Sequence, residues 1–89
     1  MYRLDIADDV YKRLSKLNAK DPELLRKIYK KVGQIRRYPY HFKPLRSPFQ
    51  NKRRVHVGGS FVIIYEIEET EKLIKLIAFD HHDKAYRSD

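Results

Sequence analysis

The sequence predicts an α+β domain in the order β-α-α-β-β-β, a helical hairpin packed on an antiparallel sheet. Three observations predict it. Residues 52–65 read as two strands and a tight turn: an alternating basic segment, Gly58-Gly59, then a nearly unbroken apolar run. Two successive apolar stripes with helical spacing precede them, separated by Asp21-Pro22-Glu23. A final apolar run from Leu73 to Phe79 follows the polar turn Glu68-Glu69-Thr70-Glu71.

Taken in order, Tyr2, Leu4 and Ile6 alternate with Arg3 and Asp5, which predicts a short first strand. Asp8 or Asp9 is the expected cap of a helix whose stripe is Val10, Leu14 and Leu17, broken at Asn18-Ala19-Lys20. Asp21 then supplies an N-cap, Pro22 the first helical position and Glu23 an acid in the first turn of a second helix. Its buried face is expected at Leu24, Leu25, Ile28, Tyr29, Val32 and Ile35, and its wet face at Arg26, Lys27, Lys30 and Lys31. Tyr38-Pro39 ends it, and Pro39, Pro44 and Pro48 punctuate an irregular loop rich in rings and cations.

In the hairpin, Arg53, Val55 and Val57 fall on one side and Arg54 and His56 on the other. Each glycine of a two-residue turn takes φ > 0 at little cost. The apolar strand after it is expected to be central and covered on both faces. Phe61, Ile63, Ile64, Leu73, Leu76 and Ile77 are expected in the core against Leu14, Leu25, Ile28 and Val32, and residues 80–86 are expected to form a polar tail.

Eighty-nine residues predict one domain, spanning 1–89, with a modest core and little room for an enclosed cofactor. The chain has no cysteine, which removes disulfides and thiolate metal sites and fits a cytoplasmic setting. No apolar run reaches the roughly 18 residues of a membrane span, and no membrane partner is expected. The net charge of +8 calls for a polyanionic partner. That charge is segregated: no acid lies between Glu23 and Glu66, an interval holding eleven of the twenty Lys and Arg residues. The pattern reads as a basic working face.

A rigid sheet that carries His56 among cations suits work on a phosphate backbone. The stretch Asp80-His81-His82-Asp83 invites a metal reading. Alternate residues share a strand face, so at most two of the four converge, too few for a closed zinc site. No metal or other cofactor is therefore expected, and no phosphate-cradling glycine loop or serine triad is readable.

Three short motifs, in order, carry a resemblance: Lys43-Pro44-Leu45-Arg46-Ser47; then Arg53-Arg54-Val55-His56-Val57, Gly58-Gly59 and Phe61-Val62-Ile63-Ile64-Tyr65; then His81, His82 and Tyr86. Across essentially the whole chain this resembles the RelE/ParE superfamily of toxins from toxin–antitoxin modules, and the spacing is most similar to its YafQ-like branch. That branch consists of ribosome-dependent mRNA endonucleases that rely on histidines. The resemblance implies catalytic positions for His56 and His82, with Lys43 where the branch has another histidine, and aromatic positions for Phe61 and Tyr86. Two residues depart from the pattern: Val62 where much of the superfamily has arginine, and Ser60 where the branch has aspartate.

The implied chemistry is attack of a ribose 2′-OH on its phosphorus. It needs a base, an acid and cations for the charged phosphorane. Histidine suits both proton roles because its ordinary pKa is about 6.5. Tyr86 is expected to stack on a base or donate a proton. Arg46, Lys52, Arg53, Arg54, Phe61 and His81 are expected to position RNA. The bland alternative for His56 is a surface strand residue, and for His82 a turn residue. The implied partners are the ribosome, mRNA and an acidic, partly helical antitoxin in a toxin–antitoxin hetero-oligomer. Two rival readings stand: a ParE-like inhibitor of DNA gyrase, and a catalytically degenerate member that only binds RNA or antitoxin.

Overall fold

A computed structural model of the chain describes residues 1–46 and 51–82. Ser47, Pro48 and Phe49 of the loop, and Asp83 and Tyr86 of the tail, lie outside the described residues. The elements are β1 (Arg3–Ile6), α1 (Asp8–Lys20), α2 (Pro22–Arg37), β2 (Lys43–Pro44), β3 (Lys52–Val57), β4 (Phe61–Glu68) and β5 (Leu73–His81). The five strands form one sheet in the order β1-β5-β4-β3-β2. α1 packs on β5 and α2 on β3, leaving the opposite face of the sheet to the site.

The helices form where the spacing placed them, with two adjustments. Ala7, not an aspartate, is the N-cap of α1, and Asp8 and Asp9 sit in its first turn, where they face the positive end of the helix dipole. α1 also runs on through Asn18-Ala19-Lys20, and the break comes at Asp21. That residue precedes a proline, which disfavours helical backbone, and it is extended at φ −154°. The Asp21 carboxylate accepts a hydrogen bond from Leu24 N at 3.1 Å, the expected cap of α2.

Leu24, Ile28, Val32 and Ile35 of α2 join Val10 and Leu14 of α1 against Val55, Val57, Ile63, Tyr65, Ile74, Leu76 and Phe79. Tyr29 is not part of this core and stands half exposed, since α2 has only one layer to pack against and its buried stripe is narrow. Leu25, Phe61, Leu73 and Ile77 are half-buried rather than fully enclosed.

The sheet is mixed rather than uniformly antiparallel. β1 pairs parallel to β5, Arg3 opposite Leu73 and Ile6 opposite Leu76. A parallel edge strand alternates as an antiparallel one does, so its pattern carries no direction. Within the expected irregular loop, Lys43–Pro44 pairs with β3, Lys43 opposite Arg54 and Pro44 opposite Arg53. Proline has no N–H to offer a further strand, so this edge ends the sheet. The β3–β4 turn holds three residues rather than two, because Val57 pairs with Phe61 across Gly58, Gly59 and Ser60. Both glycines adopt positive φ, +63° and +82°. β5 extends through Asp80 and His81, which were expected in the tail.

A polar knot closes the far end of the sheet. The Glu69 carboxylate accepts hydrogen bonds from Tyr2 at 2.7 Å and Tyr40 at 2.6 Å, and it pairs with Lys72. Lys72, then Tyr40 and Tyr2, hold the Glu69 carboxyl down to about 2 from its ordinary 4.5. A depressed carboxyl stabilises the fold fully above pH 4.5, and that contribution is lost as pH falls toward 2. Glu69→Gln is therefore expected to lower the urea midpoint near neutral pH, with the gap to wild type closing on acidification. A gap that does not change with pH would show that the carboxylate charge is not what holds the knot.

Candidate active site

Three strands place the candidate residues on the sheet face away from the helices. β3 alternates, so Val55 and Val57 enter the core while Arg54 and His56 face outward. His56 pairs with Val62 of β4, which in turn pairs with Asp80 of β5. The ladder continues past the end of β5, where His82 N donates to the Ser60 carbonyl at 2.8 Å. That bond returns His82 to the face of His56. The two imidazole rings stack with centroids 5.3 Å apart and planes 25° from parallel. Both rings are exposed and, with Gly59, Ser60 and His81, line an open cleft of about 450 Å³.

Two cations lie on the same sheet face as the cleft. Arg54 lies two residues before His56 on the same strand face, and Lys43 of β2 is its cross-strand partner. Both side chains therefore share the face of the imidazole pair. Four of the sequence-derived candidates thus share one sheet face, His56 and His82 in contact at the cleft and Arg54 and Lys43 further along the strands.

The others are placed differently. Arg53 points to the opposite side, where its guanidinium donates to the Phe42 carbonyl at 2.7 Å and to the Tyr40 carbonyl at 3.4 Å, and lies 5.1 Å from the Tyr40 ring centre. Its visible task is to hold the loop that leads into β2. Lys52 reaches the Glu66 carboxylate at 3.4 Å, one strand position from Arg53 and four from His56. Arg46 is exposed just after β2. Phe61 stacks on Phe79 at 5.2 Å and carries the tilted ring of His81 at 4.6 Å, so these two candidates form one aromatic cluster at the cleft's margin.

Local sequence signals did not reveal Arg13 and Asp80 as a positioning pair. Arg13 of α1 makes two contacts to the Asp80 carboxylate, at 3.1 and 3.4 Å, and Asp80 also accepts from His81 N at 2.8 Å. The pair joins residues 67 apart in the chain and ties the end of β5 to α1. Charge complementarity between the first helix and the tail was the one available hint. Val62, the cross-strand partner of His56, is fully enclosed, so the position where the resemblance implies arginine is here part of the sheet's packing. Among the described residues no group of three or more His, Cys, Asp or Glu side chains is arranged to hold a metal ion.

A helical hairpin on one face of a five-stranded mixed sheet is the fold of small RelE-like toxins. The isolated RelE toxin of Escherichia coli superposes with a TM-score of 0.76 at 15% identity, covering 91% of this chain and 84% of that one. A chain of the RelBE2 toxin–antitoxin complex of Mycobacterium tuberculosis gives a TM-score of 0.73 at 22% identity, covering 91% and 98%. These likenesses establish the fold. The family itself is shown by sequence: the model for the ParE toxin of the type II toxin–antitoxin system parDE matches residues 4–86. A candidate toxin of Methanocaldococcus jannaschii, RelE4, is 38% identical over 98% of this chain and 93% of its own length. The chain belongs to the RelE/ParE superfamily of type II toxin–antitoxin toxins.

Proposed function

We propose that this toxin is an endoribonuclease that cuts mRNA on the ribosome and so arrests translation. The observation that carries the reading is the His56–His82 pair, stacked at 5.3 Å in an open cleft with Arg54 and Lys43 on the same face. In-line cleavage needs one neutral imidazole to take the 2′-OH proton and one protonated imidazole to deliver a proton to the departing 5′-oxygen. In this reading each ring would serve one of the two reacting oxygens of a single phosphate. Arg54 and Lys43 would bear the charge that accumulates on the phosphorane, Arg54 through a two-pronged contact. No step requires a metal ion.

The partner in the cell would be an antitoxin, acidic and partly helical, bound in a hetero-oligomer. Tyr11, Tyr29 and Tyr38 present exposed rings among the cations of the two helices and their exit, a chemistry that an acidic amphipathic helix complements. Within the described residues no helix is long and apolar enough to cross a membrane.

A second reading, inhibition of DNA gyrase without catalysis, is favoured by the ParE description of the matching family. One experiment separates the two. Primer extension on a translated message, with and without the protein, is expected to show ribosome-dependent cuts, and the upstream fragments are expected to end in 2′,3′-cyclic or 3′-phosphate. An intact message together with blocked supercoiling by gyrase would establish the second reading. Downstream fragments beginning with 5′-phosphate would assign the chemistry to an activated water rather than to the 2′-OH.

A further inference from the structure

We propose that the RNA strand continues from the imidazole cleft across the Gly58-Gly59 turn into a second groove, where Lys27, Lys30 and Lys31 of α2 bind the phosphates flanking the scissile one. The proposal rests on the endoribonuclease reading above and names the part of the substrate that reading leaves unplaced.

The groove has a volume of about 300 Å³, and its lining includes the three lysines, His56 and both turn glycines. His56 also lines the cleft it shares with His82. The two depressions share His56 and Gly59, so a strand held at His56 lies at the edge of both. Spacings of three and one put the lysines on one side of α2. Lys27 and Lys30 are exposed and Lys31 is half-buried, and all three line the groove beside the turn.

The width of the groove is set by packing. Gly58 adopts φ +63° and presses so closely on α2 that a Cβ there would lie 2.8 Å from Leu24 Cδ1. Lys31 is half-buried, with its ammonium 5.9 Å from the centre of the Phe42 ring, which fixes the inner wall. Charge is left available for a ligand. Glu23 stands four residues before Lys27, the spacing of a helical ion pair, yet pairs with Arg26 instead. No ion pair among the described residues involves Lys27, Lys30 or Lys31. A helix face that served only solubility would mix signs; this one presents three cations beside the reacting group.

Phosphate spacing makes the idea testable by length. Fluorescence anisotropy with full-length protein would compare a three-nucleotide and a ten-nucleotide single-stranded RNA, both 2′-O-methylated so that neither is cut. The triple variant Lys27→Gln, Lys30→Gln, Lys31→Gln should bind the ten-mer at least about tenfold more weakly at low salt. Its log–log salt dependence should flatten by about 2, from roughly 0.7 per phosphate released by three lysines. Binding of the three-mer should be unchanged, and the triple Lys→Arg variant should bind the ten-mer as wild type does. Equal loss on both lengths, no loss on either, or failure of the Arg variant would overturn the proposal. So would an oligoglutamate peptide that binds wild type more tightly than the ten-mer and loses that binding in the Gln variant, since the groove would then belong to an acidic polypeptide. Should the length-dependent loss appear while a translated message stays intact, the groove stands and only the endoribonuclease reading falls.

Discussion

Replacing His56 or His82 with alanine is expected to reduce mRNA cleavage roughly 10²–10⁴-fold while leaving the melting temperature unchanged. Both rings are exposed, and neither belongs to the core, so the fold has little to lose. The size of the loss follows from the chemistry: each ring is assigned one proton transfer. Because they serve one phosphate together, the double variant should be little worse than the poorer single variant. The pH–rate profile of wild type should be bell-shaped, since one imidazole must be neutral and the other protonated. Each single variant should lose one limb. Arg54→Lys, by contrast, keeps the charge but not the two-pronged contact, and should lower the rate without moving the limbs. Full activity in both single histidine variants would transfer the chemistry to the cations and to Tyr86.

Tyr65→Ala is expected to cost about 3–5 kcal/mol as a large-to-small change in a closed core. The side chain is fully buried, meets the Phe42 ring edge-on at 6.5 Å, and donates its hydroxyl proton to the Pro39 carbonyl at 2.6 Å. Burial pushes the phenol up to about 12, so it remains a donor across the physiological range. Pro39 and Phe42 belong to the segment that leads from α2 into β2, and Arg53 holds the same segment through the Phe42 carbonyl. Small domains have about 5–15 kcal/mol in total, so this one change removes a large part of the stability. Tyr65→Phe keeps the ring and leaves the Pro39 carbonyl without its donor, for about 1–3 kcal/mol. It should also weaken cleavage, because Lys43 loses its fixed support. Urea titration of the two variants separates ring from hydroxyl, and a Phe variant as stable as wild type would show that water replaces the bond.

Much of the fold was legible along the chain because its signals are local. Apolar spacing marked both helices, Asp21-Pro22 marked their junction, and two glycines marked the turn beside the site. The segregated charge read as a basic face, and the three short motifs pointed to the same family that the sequence comparisons show. Local signals failed where a partner far along the chain decides the outcome. Tyr29 has helical spacing yet no second layer to cover it, and the direction of β1 depends on β5, which follows it by more than sixty residues.

The meeting of the two histidines is the clearest case. Ile74 and Leu76 of β5 face the core, and simple alternation would carry Asp80 and His82 inward with them. Instead the β4–β5 register shifts between Ile64 and Tyr65: Tyr65 pairs with Leu76, Ile64 pairs with Ala78, and Ile77 is passed over. One extra residue reverses every later side chain, so Phe79 becomes the inward one, and Asp80 and His82 emerge on the face of His56. Residue identities alone determined that imidazoles and cations were available. Only the bulge in the β4–β5 pairing decided that two of those imidazoles share a cleft.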